Sequence, residues 1–124
     1  GRVLLEIGRV LEAQGHKKQA KDCYAEIIRT TKLINDDDVS MIGEVYTRVG
    51  SMYLRNKDFK KSVEFFERAL SVTKEHFGRD TIELATVMQE IAGVMEKEGK
   101  TDEALNHYSD ALLIFKALRG PDDL

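Results

Sequence analysis

Cysteine, proline and tryptophan are almost missing from this chain of 124 residues. It contains one cysteine, Cys23, one proline, Pro121, and no tryptophan. A single cysteine cannot form an internal disulfide, so we expect a reducing compartment and a cytoplasmic location. Because the proline lies near the end, the residues before it are free to form long helices.

Three further absences exclude classes of protein. No apolar run approaches the roughly 18–20 residues that a membrane-spanning helix needs, so we expect no membrane partner. The first residues lack the layout of a signal peptide. The formal net charge of −3 lacks the basic excess that is typical of nucleic-acid binding, so we expect no nucleic-acid partner.

The arrangements that catalysis and metal binding require are also missing. There is no glycine-rich phosphate loop and no Gly-x-Ser-x-Gly motif. His16, His76 and His107 are far apart in sequence, and Asp36–Asp38 do not alternate with further ligands as a calcium loop does. Cys23 stands beside an aromatic residue, which favours a partly buried, inert thiol. We therefore predict no enzyme, no cofactor and no metal site; the alternative, an enzyme, needs turnover that is lost when Cys23 or a histidine is replaced.

The most informative pattern is a repeat with a period of 42 residues. Four sets of similar residues fall into register when the sequence is shifted by that period. The sets are Gly8, Gly50 and Ala92; Ala20, Ser62 and Ala104; Tyr24, Phe66 and Tyr108; and Ile28, Leu70 and Leu112. A fixed period of this size indicates a stack of supersecondary units that bury their apolar faces against one another.

Each copy of the repeat has the apolar spacing of two helices. In the first half of each copy, apolar residues recur at i, i+1, i+4, i+5 and i+8, which places them on one helical face. A second helical pattern follows in each copy. Together they predict six helices, at 1–14, 17–34, 38–56, 59–77, 81–98 and 101–118.

Glycines and capping residues mark the ends of these helices. The expected helix ends are Gly15, Asn56 and Gly99 within the copies, and Gly78 and Gly120 between them. The expected starts are Asp58 and Thr101 within the copies, and Asp38, Asp80 and Asp122 between them. Asp80 and Glu83 have the spacing of a capping box.

Small residues in the first helix of each copy face aromatic residues in the second. Gly8, Gly50 and Ala92 leave room that an aromatic ring can fill. We therefore expect the two helices of a copy to approach each other closely at these positions.

These features resemble the tetratricopeptide repeat (TPR), a helix-turn-helix unit with small residues in both helices and an aromatic residue in the second. Residues 69–80 are similar to the longer repeats of kinesin light chains and nephrocystin-type proteins, in which a helix end leads to a turn with glycine and aspartate. The resemblance implies an all-α fold, a right-handed α-solenoid of three TPR-like repeats with six antiparallel helices. It assigns 1–124 to a single domain with repeats 1–36, 37–78 and 79–120 and a short tail, 121–124.

The resemblance also implies that the chain is a scaffold that binds a peptide or partner protein in a concave groove lined by the first helices. Carried over position by position, the groove residues are Leu5, Arg9, Glu12, Thr47, Ser51, Leu54, Arg55, Gln89, Gly93, Glu96 and Lys97. Arg55 and Lys97 share one repeat position, and such a line of basic residues favours an acidic peptide. Because Glu12 and Glu96 stand close by, a solvated surface of mixed charge is the alternative.

The last helix is apolar on all sides, unlike its counterparts in the earlier copies. Leu113 stands where those copies have Arg29 and Ser71, and Phe115 stands where they have threonine. Since end repeats normally present a polar outer face, we predict an end-face contact through Leu113, Phe115 and Leu118, with Phe115 buried in it. Two interpretations are open: a further repeat, or a self-assembly module that forms homo-oligomers through its ends.

Overall fold

The computed structural model describes residues 2–119, which form six α-helices and no strand. The helices are α1 (Arg2–Ala13), α2 (Lys17–Thr30), α3 (Asp36–Arg55), α4 (Phe59–Phe77), α5 (Ile82–Lys97) and α6 (Thr101–Arg119). All six predicted helices are confirmed. Within this part of the chain, no helix is long and apolar enough to cross a membrane.

The helices pack as three hairpins in a row. The most extensive contacts join α1 to α2, α3 to α4 and α5 to α6, and the hairpins contact each other mainly through α2 with α3 and α4 with α5. The helix α1 also contacts α3. Each hairpin therefore packs on the next hairpin along the chain, which is the signature of a solenoid.

The helix α3 begins earlier than predicted. Its N-cap is Asn35, whose side chain accepts a hydrogen bond from the amide of Asp38 at 2.9 Å. The Asp38 carboxylate accepts one in return from the Asn35 amide at 3.3 Å. The prediction of Asp38 as the start is therefore wrong, because Asp38 is the returning partner of this capping box.

Of the other predicted starts, one is wrong and two are confirmed. The N-cap of α5 is Thr81, not Asp80, because the Thr81 hydroxyl accepts a hydrogen bond from the amide of Leu84 at 3.2 Å. The helix α6 begins at Thr101 as predicted, with Thr101 as its first helical residue. Asp58 does cap α4, accepting from the Lys61 amide at 3.3 Å.

The turn inside each hairpin requires a residue with positive φ, which glycine adopts most easily. Gly15 and Gly99 supply it in the first and third hairpins, as predicted. In the middle hairpin the residue is Lys57, with φ of 62°, and not Asn56, whose φ is −88°. Lys57 shares the register of the two glycines, so position in the repeat decides the conformation here.

Gly78, with φ of 94°, ends α4 as predicted. The predicted signals at Gly120 and Asp122, together with the tail 121–124, lie outside the described residues. The helix α2 ends at Thr30, four residues before the predicted end at 34.

The apolar interior forms three clusters along the stack. The first joins α1, α2 and α3 and contains Leu5, Ala20, Tyr24, Ile27, Met41, Ile42, Val45, Val49 and Met52. The second joins α4 to α5 and contains Phe66, Ala69, Val87, Ile91 and Val94. The third joins α5 to α6 and contains Leu84, Ala85, Ala111 and Ile114. Two of the three clusters cross from one hairpin to the next, so neighbouring hairpins cover each other's apolar faces.

The predicted close approach of the two helices in a hairpin is confirmed. A Cβ atom added at Gly8 would lie 2.6 Å from Cε1 of Tyr24, and one added at Gly50 would lie 3.1 Å from Cε1 of Phe66. In the middle hairpin the Ser62 hydroxyl also donates a hydrogen bond to the Gly50 carbonyl at 2.7 Å. The glycines therefore set the distance between the helices.

We predict that Gly50→Leu destabilises the chain by about 1–3 kcal/mol, because the larger side chain would have to displace the Phe66 ring. Urea unfolding monitored by circular dichroism measures the change. The control is Gly93→Ala, since a Cβ at Gly93 would lie 3.8 Å from the Tyr108 hydroxyl oxygen, an ordinary contact. That control should be neutral or stabilising, and an unchanged midpoint for Gly50→Leu would contradict the packing role of Gly50.

Candidate functional site

Two concave regions border α3, one along its N-terminal half and one along its C-terminal half. The first, which we call the junction cavity, has a volume of about 320 Å³ and lies between α3, the end of α4 and α5. The second, the basic cavity, has a volume of about 290 Å³ and lies between α1, the start of α2 and α3. Because Glu44 lines the first and Arg48 the second, α3 connects the two.

The junction cavity combines an apolar floor with an acidic rim. Its apolar residues are Val39, Phe77, Ile82 and Val87; its small and hydroxyl residues are Ser40, Gly43, Thr47, Thr73 and Thr86. Three carboxylates, Glu44, Glu83 and Glu90, complete the lining, and no basic residue is part of it. The arrangement suits an apolar side chain with a positive charge next to it.

Glu90 is the unusual carboxylate of the junction cavity. Its side chain is partly buried, and no hydrogen bond or ion pair joins it to another residue in the described range 2–119. Burial raises the pKa of Glu90 above the usual value for glutamate, because water is displaced from the charged form. A cation placed in the cavity would favour the ionised form again.

Glu12 occupies the centre of the basic cavity and connects three helices. It accepts a hydrogen bond from the Tyr24 hydroxyl of α2 at 2.7 Å and another from Nη2 of Arg55 of α3, also at 2.7 Å. Nη1 of Arg48 lies 3.6 Å from the same carboxylate. Glu12 thereby fastens the first hairpin to the second.

The surroundings of Glu12 keep it ionised. Burial raises its pKa, but hydrogen bonds from Arg55 and Tyr24 and the positive charges of Arg48 and Arg55 outweigh burial, so the pKa of Glu12 lies below its usual value. The pKa of Tyr24 is raised, first by burial and then by its bond to Glu12. The hydroxyl therefore remains a donor at neutral pH.

The Tyr–Glu pair recurs in the third hairpin and is replaced by an apolar pair in the second. The Tyr108 hydroxyl donates to Glu96 at 3.1 Å. At the same repeat positions the middle hairpin has Phe66 and Leu54, and Leu54 packs against the cluster that contains Phe66. Tyrosine thus accompanies glutamate, and phenylalanine accompanies leucine.

The structure distributes the predicted groove residues over several environments. Arg9, Glu12 and Arg55 line the basic cavity, and Thr47 lines the junction cavity. The remaining exposed or half-buried residues, Ser51, Gln89, Gly93, Glu96 and Lys97, line neither cavity. Their role in binding stays a prediction.

One groove prediction needs correction. Leu5 is fully buried in the first apolar cluster with Met41 and Ile42 of α3, so no partner can reach it. Leu54 is half-buried and packs against the cluster that contains Phe66, and its role in binding stays a prediction. The sequence interpretation also missed Glu90, Arg48 and other residues that line the cavities. The structural role of Glu12 could have been identified from the repeat, because glutamate occurs at this position in the copies that have a tyrosine at the position of Tyr24.

The residues predicted for the end face have different surroundings, and the end-face contact itself stays a prediction. Leu113 lies over a separate cavity beside Arg79 and Asp80, on the side of α6 that faces the α4–α5 connection. Phe115 is half-buried against the third apolar cluster of its own hairpin, and the Arg119 guanidinium lies 5.4 Å from its ring centre. Leu118 is exposed. Phe115 is therefore covered largely within the chain.

The candidate reactive residues have ordinary surroundings. Cys23 is a free, half-buried thiol, as predicted. His16 is exposed, and Nε2 of His76 contacts the Asp36 carboxylate at the start of α3. Over residues 2–119, no group of three or more His, Cys, Asp or Glu side chains is arranged to hold a metal ion.

Comparisons with known proteins agree on one family. A family model described as tetratricopeptide repeat matches residues 41–117, and a second model with the same description matches residues 2–30. Tetratricopeptide repeat protein 23 from Homo sapiens is 24% identical over 114 residues, which are 92% of this chain and 26% of that protein. The clustered mitochondria protein homolog from Aspergillus clavatus is 33% identical over 67 residues, 54% of this chain and 5% of that protein.

Solved structures show a similar fold. BtubC (BKLC) from P. vanneervenii superposes with a TM-score of 0.76 at 24% identity, covering 94% of this chain and 46% of that one. The N-terminal domain of stress-induced protein-1 (STI-1) from C. elegans gives 0.68 at 18% identity, covering 92% and 83%. These likenesses show an all-α solenoid of helix-turn-helix repeats. The chain spans about a quarter of the length of the tetratricopeptide repeat protein 23 sequences it matches.

We predict that Glu12→Leu alone costs about 1–3 kcal/mol, because it leaves the buried Tyr24 hydroxyl without its acceptor. The double variant Glu12→Leu/Tyr24→Phe recreates the Leu54–Phe66 pair of the middle hairpin and should recover part of that loss. Urea unfolding of both single variants and the double variant measures the coupling free energy, which we expect to be about 0.5–3 kcal/mol. Strictly additive effects would show that the pair does not act as a unit.

Proposed function

The chain belongs to the tetratricopeptide repeat family, and on that premise we propose that it is a non-catalytic scaffold that binds an extended segment of a partner protein along α3. Solenoids of this family generally present surfaces to other proteins. The junction cavity is the observation that carries the proposal. It supports recognition of one apolar side chain, held between α3 and α5.

The acidic rim of the junction cavity supports a partner with a basic residue beside that apolar side chain. Glu83 and Glu90 come from α5 and Glu44 from α3. Because Glu44 already accepts a hydrogen bond from Nε of Arg48 at 3.1 Å, Glu83 and Glu90 supply the negative charge for a partner. Charges arranged in this way attract the complementary charge and fix the register of a bound segment. A lysine or arginine of the partner would supply the cation that Glu90 lacks.

The basic cavity supports an acidic residue at the other end of the segment. Four cationic side chains, Arg9, Lys17, Arg48 and Arg55, surround the single carboxylate of Glu12. Three of these cations already have a carboxylate partner: Arg9 pairs with Glu6, Arg48 with Glu44, and Arg55 with Glu12. Lys17 forms no ion pair with another residue in 2–119, so it is the cation that a partner's carboxylate would meet. The opposite charges of the two cavities would orient the segment along α3.

For the whole protein we propose a cytoplasmic location. The support is the half-buried free thiol of Cys23, which suits a reducing compartment.

A peptide library displayed on phage and selected on the immobilised chain tests the proposed function. We expect the selected peptides to share an apolar residue next to lysine or arginine, with an acidic residue on the other side. Thr86→Trp should fill the junction cavity and weaken the binding of the best peptide roughly tenfold or more, which corresponds to about 1.4 kcal/mol. Fluorescence anisotropy measures the change in affinity. Ser71→Trp, at an exposed position of α4, is the matched control. Equal binding by both variants would contradict the proposed site.

We predict that Glu90→Gln stabilises the chain at pH 7 and lowers its affinity for the selected peptide. The folded state raises the pKa of Glu90, so its ionised form disfavours folding at neutral pH, and the wild type regains this stability as the pH falls through that pKa. The rise in urea midpoint should therefore shrink towards acidic pH. Glu83→Gln, at an exposed position, is the control and should leave the midpoint nearly unchanged. A lower midpoint for Glu90→Gln would show that the carboxylate stabilises the fold.

A further inference from the structure

Two stacked aromatic rings in the middle hairpin carry three cations. The ring centres of Tyr53 on α3 and Phe65 on α4 lie 5.6 Å apart, and the two planes are inclined by only 19°. Nζ of Lys21, from α2, lies 4.3 Å from the centre of the Tyr53 ring, and Nζ of Lys61, from α4, lies 5.4 Å from it. Cζ of the Arg68 guanidinium lies 4.9 Å from the centre of the Phe65 ring. We call these five residues the cationic stack.

The cations of the cationic stack form no ion pair with another residue in 2–119. Glu64 has helical spacing to both Lys61 and Arg68, which would allow an ion pair, yet it pairs with neither. Arg48 and Arg55, by contrast, are each paired with a glutamate. The aromatic rings hold the three cations in place without neutralising them. Their charge is therefore available to an anion from outside.

The repeat itself does not require the pair of rings. At the positions of Tyr53 and Phe65, the first hairpin has Leu11 and Cys23, and the third has Met95 and His107. A hairpin can therefore close without two stacked rings at these positions. The specific effect of the rings in the middle hairpin is to gather cations from α2 and α4 around one surface.

The charge of the second helix is reversed from the middle hairpin to the third. The residues that share repeat positions on α4 and α6 are Lys60 and Asp102, Lys61 and Glu103, and Arg68 and Asp110. The basic surface therefore ends at α4, so it lacks the long basic stripe that a nucleic acid follows. Because corresponding helices of a solenoid lie side by side, a flat anionic membrane would also meet the acidic residues of α6. A short acidic segment of protein can contact α4 without meeting α6.

We propose that the cationic stack binds an acidic protein segment, whose glutamate or aspartate carboxylates pair with Lys21, Lys61 and Arg68. Complementary charges of this kind attract a partner and fix the register in which it binds. None of the five residues of the stack lines the junction cavity or the basic cavity. The site is therefore separate from the one that carries the proposed function.

Fluorescence anisotropy with a labelled octaglutamate peptide tests the cationic stack. The wild type should bind the peptide, and added salt should weaken the binding because the contact is electrostatic. Lys61→Gln/Arg68→Gln removes two cations of the stack and should lower the affinity about fivefold or more. Glu64→Gln removes a neighbouring negative charge and should raise the affinity. Lys74→Gln/Arg79→Gln is the matched control, because it removes the same charge beside a separate cavity, and it should bind like the wild type.

Four outcomes would overturn the inference. The first is a failure of octaglutamate to bind the wild type at low salt, and the second is an equal loss of affinity in the two double variants, which would indicate a response to net charge alone. The third and fourth are binding of a single-stranded oligonucleotide, or of phosphatidylserine vesicles, more tightly than octaglutamate and through the same cations. Thr86→Trp should leave octaglutamate binding unchanged, so that a failure of the cationic stack can be distinguished from a failure of the junction cavity.

Discussion

The fold depends on the contact between a glycine in the first helix of a hairpin and an aromatic ring in the second. The rings of Tyr24 and Phe66 come within 2.6 Å and 3.1 Å of the positions that a Cβ atom would take at Gly8 and Gly50. This contact fixes the separation of the two helices, and the separation determines which side chains face the next hairpin. The three apolar clusters and both cavities beside α3 follow from that spacing.

The charged groups around α3 build on this apolar framework. Glu12 binds Tyr24 and Arg55 and so connects α1, α2 and α3. Glu90 lies in the junction cavity and has no hydrogen-bond or ion-pair partner among residues 2–119. The pKa of Glu12 is lowered and the pKa of Glu90 is raised. This asymmetry separates a structural charge from one that is available for recognition.

The fold could be predicted from the sequence because the 42-residue register carries the packing pattern. The burial of each repeat position could not be predicted in the same way, as Leu5, Thr47 and Gln89 show. They share one repeat position, yet Leu5 is fully buried, Thr47 is half-buried and Gln89 is exposed. The burial of a residue depends on the helix that packs against it and not on the residue type. Leu5 is buried because the N-terminal turns of α3, which contain Met41 and Ile42, cover it. The same reasoning explains Lys57, whose φ follows the register although its side chain disfavours that conformation.

The arrangement of contacts also has a consequence for folding and dynamics. Because the main contacts among residues 2–119 join helices that are close in sequence, the topology has low contact order, which is typical of rapid folding. Local opening is least favourable where a hairpin is packed on both flanks, and the middle hairpin contacts the first through α2 and α3 and the third through α4 and α5. We therefore expect the amide protons of α3 to be strongly protected from exchange, which would give both cavities one ordered wall.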